Sequence, residues 1–500
     1  MVSDSTRPQH PPRTPLATLA DWVGAQAVGD LGDVEVTGIS LSSQRIRPGD
    51  LYAALPGSRA HGVDFAPAAV GAGAVAVLTD PAGAGSAAVD VPVLVVSRPR
   101  AVLGRLAAHV YGDPAESMRM IGVTGTQGKT TTTRLLEGGL TQGGGLAAVI
   151  GTNGTRVAGA DVQTTLTTPE APDLHGLFAM MRERGVTTCA MEVSSHALVM
   201  GRVDGVVFDV AVFLNLGRDH LDFHGDVEEY FAAKASLFTP ERARLGLVNI
   251  DDEHGRRLVT EATVPVRTFS TTGAADWTVD DVEPGPEGST FVIVTPDGRR
   301  LAAGCPLPGD FNVANTLAAV AAAGETGLDP AAVAAGIAAA GGVPGRLERV
   351  DAGQDFLVVV DYAHKPDAVE AAIRTLRPLT DGRLIVVLGA GGDRDPGKRP
   401  IMAGIAARLA DVLVVTDDNP RTEDPAAIRA AMLAGVEDGA AEVVEIGDRR
   451  AAIRAAVRRA RPGDIVVIAG KGHETGQEID GVVHPFDDRE VAREELACLP

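Results

Sequence analysis

Residues 120–131 read Met120-Ile121-Gly122-Val123-Thr124-Gly125-Thr126-Gln127-Gly128-Lys129-Thr130-Thr131. An apolar run, Met120–Val123, has the texture of a buried strand. Two glycines, a lysine and a pair of threonines follow and open a helical stretch. A phosphate-binding loop needs this context: backbone N–H groups at a helix N-terminus, a lysine for the β- and γ-phosphates, and a hydroxyl for Mg²⁺. The strict spacing G-x-x-x-x-G-K-[ST] is not met, because Val123 stands where its first glycine belongs. A plain glycine-rich strand-to-helix turn is the alternative. The strand, Gly125, Gly128 and both threonines together favour the phosphate.

Working outward, the next strand-like run, Thr188–Glu192, ends at Glu192-Val193-Ser194-Ser195-His196 and places Glu192 at a sheet rim. Alone it reads as a solvated carboxylate; beside a phosphate loop it becomes a candidate Mg²⁺ ligand. A further strand, Val210–Leu214, leads into Asn215-Leu216-Gly217-Arg218-Asp219-His220-Leu221-Asp222-Phe223-His224, which suits a metal site and a polar turn equally. Lys234 reads as one exposed helix lysine.

The zone after Gly341-Gly342-Val343-Pro344-Gly345 alternates strand-like runs (Phe356–Val360, Leu384–Leu388, Val412–Val415, Val443–Ile446, Ile465–Ile468) with amphipathic helices. That alternation predicts a parallel sheet covered on both faces. Polar residues follow each run, and ligands of such sheets sit beyond the carboxyl ends of the strands. Asp417-Asp418-Asn419-Pro420-Arg421 and Gly470-Lys471-Gly472-His473-Glu474 should therefore share one edge. Arginine grips a carboxylate with two bonds and glutamate accepts from an ammonium, so the pair suits a zwitterion; two ordinary turns are the plainer reading. The zone before Arg119 has short β-branched runs, Val34–Ile39, Val75–Leu78 and Val91–Val96, and a closing helix, Pro99–Val110. The expected fold class is α/β in three domains: a mixed α/β domain over 16–118, a central P-loop ATPase-like parallel-sheet domain over 119–344, and a Rossmann-like parallel-sheet domain over 345–500. Residues 1–15, with four prolines, read as a disordered tail.

The chain has 500 residues and a net charge of −21, which argues against a nucleic-acid partner. Three scattered cysteines make neither a disulfide framework nor a zinc site. No apolar run is long enough for membrane insertion. A cytoplasmic protein is expected.

The loop Thr124–Thr131 resembles the ATP loop of the Mur ligases, where Asn is more usual at Gln127. Thr167-Thr168-Pro169, Glu192–His196, Asn215–His224, Asn312-x-x-Asn315, Asp361-Tyr362-Ala363-His364 and the paired C-terminal loops follow in the family's order. The resemblance is to the member that adds the third residue of the peptidoglycan stem peptide. It implies ATP held by Gly125, Thr126, Gln127, Gly128, Lys129, Thr130 and Thr131, with Asn312 and Asn315 near the adenine and Asp361 near the ribose. It implies Lys129, Lys234, Glu192 and His220 as catalytic, with Thr130, Glu192, His220 and Lys234 holding two Mg²⁺. The lysine matching Lys234 is carbamylated in the family, which makes a cation into an anion carrying bound carbon dioxide. Leu41, Ser43, Thr167, Thr168, Ser194 and Arg202 match contacts to UDP-N-acetylmuramoyl-L-alanyl-D-glutamate. Two departures are Ser42-Ser43-Gln44, where Asp-Ser-Arg is usual, and Met200, where some relatives have Gln.

Asp418-Asn419-Pro420-Arg421 is like the meso-diaminopimelate version of its motif rather than the lysine version. The implied diaminopimelate-binding residues are Arg394, Asp418, Asn419, Pro420, Arg421, Gly470 and Glu474, with Arg421 and Arg394 on the distal carboxylate and Gly470 and Glu474 at the distal amine. Lysine would leave a guanidinium unpaired, and such a site can discriminate by up to ~10⁴–10⁵. The implied enzyme is an ADP-forming ligase, a monomer acting on small molecules. The alternatives are another ligase of the superfamily, such as a folylpolyglutamate synthetase or the MurF-type enzyme, and a P-loop NTPase switch.

Overall fold

A computed structural model describes residues 6–217, 219–285, 287–437 and 441–499. The chain forms two compact units, one of Met1–Val279, Val294–Leu301 and Leu317–Gly336, the other of Asp280–Ile293, Ala302–Thr316 and Ile337–Pro500.

Two sheets organise most of the first unit, beside a short two-stranded pair, Thr14–Pro15 with Glu35–Val36. Five short strands run in the order Gln26–Val28, Val93–Val95, Ala76–Thr79, Asp50–Ala53, Gly38–Ser40, parallel except for the first. The predicted helix Pro99–Val110 packs Leu103, Leu106, Ala107 and Val110 into the same core as Leu51 and Leu78. The larger sheet places Arg119–Thr124 between Thr188–Glu192 and Phe208–Phe213, all parallel. Ala147–Gly151 lies beyond Thr188–Glu192, while Ala243–Asn249 and Val266–Ser270 continue past Phe208–Phe213. Glu192 pairs in register with Val123, and Phe213 with Thr124. Three adjacent strands thus end level, and the loops that follow them emerge on one edge. The core beneath is apolar side chains of those strands and of the helix Ala171–Glu183.

In the second unit Leu357–Asp361, Ile465–Ala469, Leu384–Leu388, Val412–Val415 and Glu442–Glu445 form a parallel sheet in that order. Glu348–Arg349 adds an antiparallel edge beside Leu357–Asp361. Asp361 and Leu388 both pair with Ala469, Leu388 with Val415, and Val415 with Glu445. The polar stretches following these strands therefore share one edge, as their spacing predicts. Separate apolar clusters cover the two faces.

The disordered tail is corrected for residues 6–15; residues 1–5 lie outside the described residues. Arg7 is buried, its Nη1 donating to Asp50 Oδ2 at 2.6 Å. Thr14 and Pro15 pair with Val36 and Glu35. A buried carboxylate that needs a cation outweighs the local proline content.

Candidate active site

In the first unit, Arg119–Thr124 turns through the predicted loop into the helix Lys129–Gln142. Gly128 caps that helix with φ 86°, a conformation that favours glycine. Asn215, at the end of the neighbouring strand, braces the loop: its Oδ1 accepts from the N–H of Thr126 (3.1 Å) and of Gln127 (2.9 Å). The Lys129 Nζ folds back onto the carbonyls of Gly125 (2.7 Å) and Thr126 (3.1 Å). Thr130 and Thr131 are buried in the first helical turn.

Lys234 is not the exposed lysine its surroundings in sequence suggested. It is 1% exposed, and its Nζ donates to the Gly125 carbonyl at 2.8 Å, the oxygen Lys129 also uses. Burial, and then the charge of Lys129, holds its amine well below the usual lysine range, against the pull of Asp219. A buried amine beside a second cation is biased towards its neutral, nucleophilic form. Tyr230 supplies one wall, its ring centroid 4.5 Å from Nζ.

Glu192 is 1% exposed, so the solvated-carboxylate reading is corrected. Its Oε1 accepts from the Thr152 N–H (2.7 Å) and its Oε2 from the Thr152 hydroxyl (3.1 Å). Gly151 makes room for it, since a Cβ there would stand 2.2 Å from Oε1. Thr167 reaches the same hydroxyl at 3.1 Å, and Thr168 donates to the Glu192 carbonyl at 2.8 Å. The Thr168 hydroxyl also lies 3.5 Å from that of Ser194, which caps the helix Ser195–Val199. Arg202 donates to Glu170 (2.8 Å) and the Thr168 carbonyl (3.4 Å). The structure thus gathers Thr167, Thr168, Ser194 and Arg202 around Glu192. Leu41 and Ser43 lie half-buried after the edge strand Gly38–Ser40.

His220 has φ 54° and rests beside His196, ring centroids 4.8 Å apart, with Asp219 3.3 Å from its Nε2. Arg218 of this loop lies outside the described residues. Among the described residues no three His, Cys, Asp or Glu side chains converge as a metal centre. The unmodified Lys234 is a donor and adds no ligand oxygen.

In the second unit Asp361 is held by the N–H groups of Leu347 (2.7 Å) and Ala363 (2.8 Å). Burial raises its pKa, against Arg346 and those two bonds. Asn315 donates to Asn312 (3.1 Å), which donates to the Pro308 carbonyl (2.8 Å). The two C-terminal loops do meet. Asn419 Nδ2 donates to Glu474 (3.0 Å), and the fully buried Lys471 Nζ bridges Asn419 (2.9 Å) and Glu474 (3.1 Å), 4.0 Å from Asp418. Gly470, at φ 119°, leaves the space that Asp418 Oδ2 occupies, 2.3 Å from where a Cβ would be. The Pro420 carbonyl closes onto Gly392 in the same manner, at 1.9 Å from a Cβ there. Arg394 is exposed on the adjoining loop.

Arg421 donates to the Gly392 carbonyl (2.6 Å) and to Glu478 (3.2 Å). The expectation that it lacks a partner without a ligand carboxylate is therefore corrected. Asn215, Thr152, Lys471 and Glu478 were the residues that sequence reasoning did not single out. Asn215 and Lys471 sit inside stretches already chosen on pattern, whereas Thr152 and Glu478 carry no local signal.

The family descriptions "Mur ligase family, catalytic domain", "Mur ligase middle domain" and "Mur ligase, glutamate ligase domain" match residues 35–111, 123–323 and 345–472. The UDP-N-acetylmuramoyl-L-alanyl-D-glutamate--2,6-diaminopimelate ligase of Streptomyces avermitilis is 59% identical over 98% of both chains. The protein of that name from Corynebacterium glutamicum is 51% identical over 95% of this chain and 94% of its own. A solved structure of a ligase of that name superposes with a TM-score of 0.70 at 36% identity, covering 94% of this chain and 96% of the other. With three family domains in order and such identity over nearly its whole length, this chain belongs to the Mur ligase family.

Proposed function

We propose that this chain is an ATP-dependent ligase that joins meso-2,6-diaminopimelate to the D-Glu γ-carboxylate of UDP-N-acetylmuramoyl-L-alanyl-D-glutamate, in peptidoglycan precursor synthesis. The observation that carries the reading is the 59% and 51% identity, over nearly full length, to ligases that bear this activity in their names. The proposed domains are 16–118 for the UDP substrate, 119–344 for ATP and 345–500 for the amino acid. Leu41, Ser43, Thr167, Thr168, Ser194 and Arg202 are assigned to the UDP-linked dipeptide. In the second unit, Asn312, Asn315 and Asp361 are assigned to the nucleoside. Three free cysteines, two of them buried, suit a reducing cytoplasm, and a monomer is the proposed state.

The γ-carboxylate attacks the γ-phosphate of ATP, giving an acyl phosphate and ADP; the amine of diaminopimelate then attacks the acyl carbon and phosphate leaves. The difficulty of the first step is charge, since a carboxylate meets a triphosphate. The N–H groups at the Lys129–Gln142 helix start and the Lys129 ammonium offset that charge. Lys129 must leave the carbonyls of Gly125 and Thr126 to do so. The Thr130 hydroxyl and the buried Glu192 carboxylate would hold Mg²⁺ as hard oxygen donors, the His220 imidazole would add a borderline nitrogen ligand, and a carbamate on Lys234 would supply the oxygens for a second ion. Bound Mg²⁺ supplies neutralisation of phosphate charge. A carbamate forms when a neutral amine attacks carbon dioxide, and the environment of Lys234 favours that neutral amine.

The test is phosphate release from ATP with the UDP-dipeptide and Mg²⁺, run with meso-diaminopimelate, with L-lysine and with neither. Release confined to diaminopimelate, with a product heavier by one residue, is expected. Equal release in all three would favour an ATPase instead.

A further inference from the structure

Arg421 has a left-handed backbone, φ 54°. A non-glycine residue stays there only where its surroundings hold it. The hold comes from the hairpin Gly476–Ile479 and Val482–Pro485. The Arg421 N–H donates to the Glu478 carbonyl at 3.0 Å, and the Asp480 N–H donates to the Arg421 carbonyl at 2.7 Å. One residue before Pro420, Asn419 Oδ1 accepts from the Glu478 N–H at 3.0 Å. Together with the Asp480 N–H, the backbone of Glu478 therefore holds the Asn419–Arg421 turn.

The same residue holds the side chain. Arg421 Nε donates to Glu478 Oε2 at 3.2 Å, while Nη1 donates to the Gly392 carbonyl at 2.6 Å. A guanidinium carries five N–H donors. Two of them serve the protein here. Among the described residues Nη1 makes one hydrogen bond and Nη2 makes none; the Nη1/Nη2 edge carries one proton of each nitrogen, and the other Nη2 proton lies beside Nε–H. Two parallel N–H groups on one edge are the geometry that grips a carboxylate. Two neighbouring arginines are committed otherwise, Arg399 to both oxygens of Glu423 and the fully buried Arg449 to both oxygens of Asp488, whereas Arg394 is exposed on the adjoining loop.

We infer that Glu478 is a positioning residue for amino-acid selection, anchoring Arg421 through Nε so that its Nη1/Nη2 edge is presented to the distal carboxylate of the incoming amino acid. The inference rests on the diaminopimelate reading proposed above. It has a second consequence. A guanidinium that keeps a protein carboxylate is not stripped of counter-charge when lysine arrives, so discrimination comes from the missing ligand bonds alone. That places it below the ~10⁴–10⁵ attainable where a buried polar group is left wholly unpaired.

The experiment measures initial rates in the full chain against diaminopimelate concentration for wild type, Glu478→Ala, Glu478→Gln, Arg421→Ala and the Arg421→Ala/Glu478→Ala double variant. For Glu478→Ala, KM for diaminopimelate is expected to rise about tenfold, the scale of one charge-assisted hydrogen bond, with kcat within about twofold. KM for ATP should hold. Glu478→Gln keeps an oxygen that accepts from Nε and should stay within about threefold of wild type. In the Arg421→Ala background, Glu478→Ala should add nothing, because the two act as one device. A fall in KM for Glu478→Ala would overturn the inference by making Glu478 a competitor of the ligand. An unchanged KM, or an effect that persists without Arg421, would overturn it too. A wild type whose phosphate release ignores diaminopimelate would overturn the functional reading along with it, which separates the two failures.

Discussion

Removing the charge of Asp488 should loosen both loops of the proposed amino-acid site although Asp488 touches neither. Its two oxygens accept from Arg449 Nε and Nη2, both at 2.7 Å, and neither side chain is exposed at all. Arg449 gives two further donors to the carbonyls of Asp417 (3.2 Å) and Ala469 (3.0 Å). Those residues immediately precede Asp418–Arg421 and Gly470–Glu474. Asp488→Asn keeps the shape, removes the anion and turns an amide donor towards the guanidinium. Breaking a buried pair from one side costs about 3–5 kcal/mol, because the remaining charge is uncompensated. The two carbonyls stay with Arg449, which argues for the lower end, about 3 kcal/mol. At 1.36 kcal/mol per decade that is roughly a hundredfold.

Amide hydrogen exchange reads this locally, since protected strand amides exchange through openings of their own cooperative unit. In Asp488→Asn, the Ile465–Ala469 amides should exchange about a hundredfold faster, while those of Arg119–Thr124 in the first unit keep their wild-type rates. The KM for diaminopimelate should rise with them. Replacing both partners by apolar residues, Arg449→Met with Asp488→Leu, should restore most of the protection, since no buried charge is left. Exchange of Ile465–Ala469 within threefold of wild type in Asp488→Asn would refute the argument that this pair ties the two strand ends together.

Lys234→Met should abolish diaminopimelate-dependent phosphate release while leaving the thermal midpoint at or above that of wild type at pH 7, because a buried amine is replaced by an apolar chain of like length. A large fall in that midpoint would show that the amine serves the fold. His175, fully buried with Nε2 3.1 Å from the Asp204 carbonyl, is pushed down to about 4 by burial. The unfolded chain binds a proton near pH 6.5 that the folded chain refuses until about pH 4, so stability is intact above 6.5 and falls as the pH drops through that window, by about 3 kcal/mol in all. Urea unfolding followed by Trp22 and Trp277 fluorescence should show this slope, and His175→Gln should flatten it. Asn215→Ala removes the acceptor for two loop N–H groups and should raise KM for ATP several-fold, whereas KM for diaminopimelate should hold.

Much of the fold was readable where a strand is buried on both faces. Thr188–Glu192, Leu384–Leu388 and Val412–Val415 coincide with their predicted runs, because such strands are continuous stretches of apolar residues. Asp50–Ala53 and the exposed hairpin Gly476–Ile479/Val482–Pro485 lack that signature, and pattern reading passes over them. The site divides along the same line. Loops that follow strands are located by the strands, so the positions of the Thr124–Lys129 loop, Glu192 and the paired C-terminal loops at their sheet edges were legible. Their braces come from elsewhere in the chain: Thr152 reaches Glu192 across 40 residues and Glu478 reaches Arg421 across 57. No local pattern encodes a partner at such separations.

Lys234 is different, because its signal was local and still overlooked. Tyr230, Phe231, Lys234, Leu237 and Phe238 fall at i, i+1, i+4, i+7 and i+8, the spacing of a core-facing stripe. The helix Val227–Ala235 buries the first three, and the turn after it buries the last two. Read as composition, a lysine among polar and small residues is a surface residue. Read as periodicity, it is an ammonium in the middle of an apolar stripe, where a charge has no water and a second cation, Lys129, bonds to the same carbonyl. A chain that gained only stability there would carry leucine or methionine. Retaining an amine at that position, at a cost in desolvation, makes sense if the amine reacts, and a reaction that turns it into an anion removes the repulsion from Lys129 as well. On the proposed carbamate reading, the burial that makes lysine a poor structural choice at 234 is what makes it a chemically useful one.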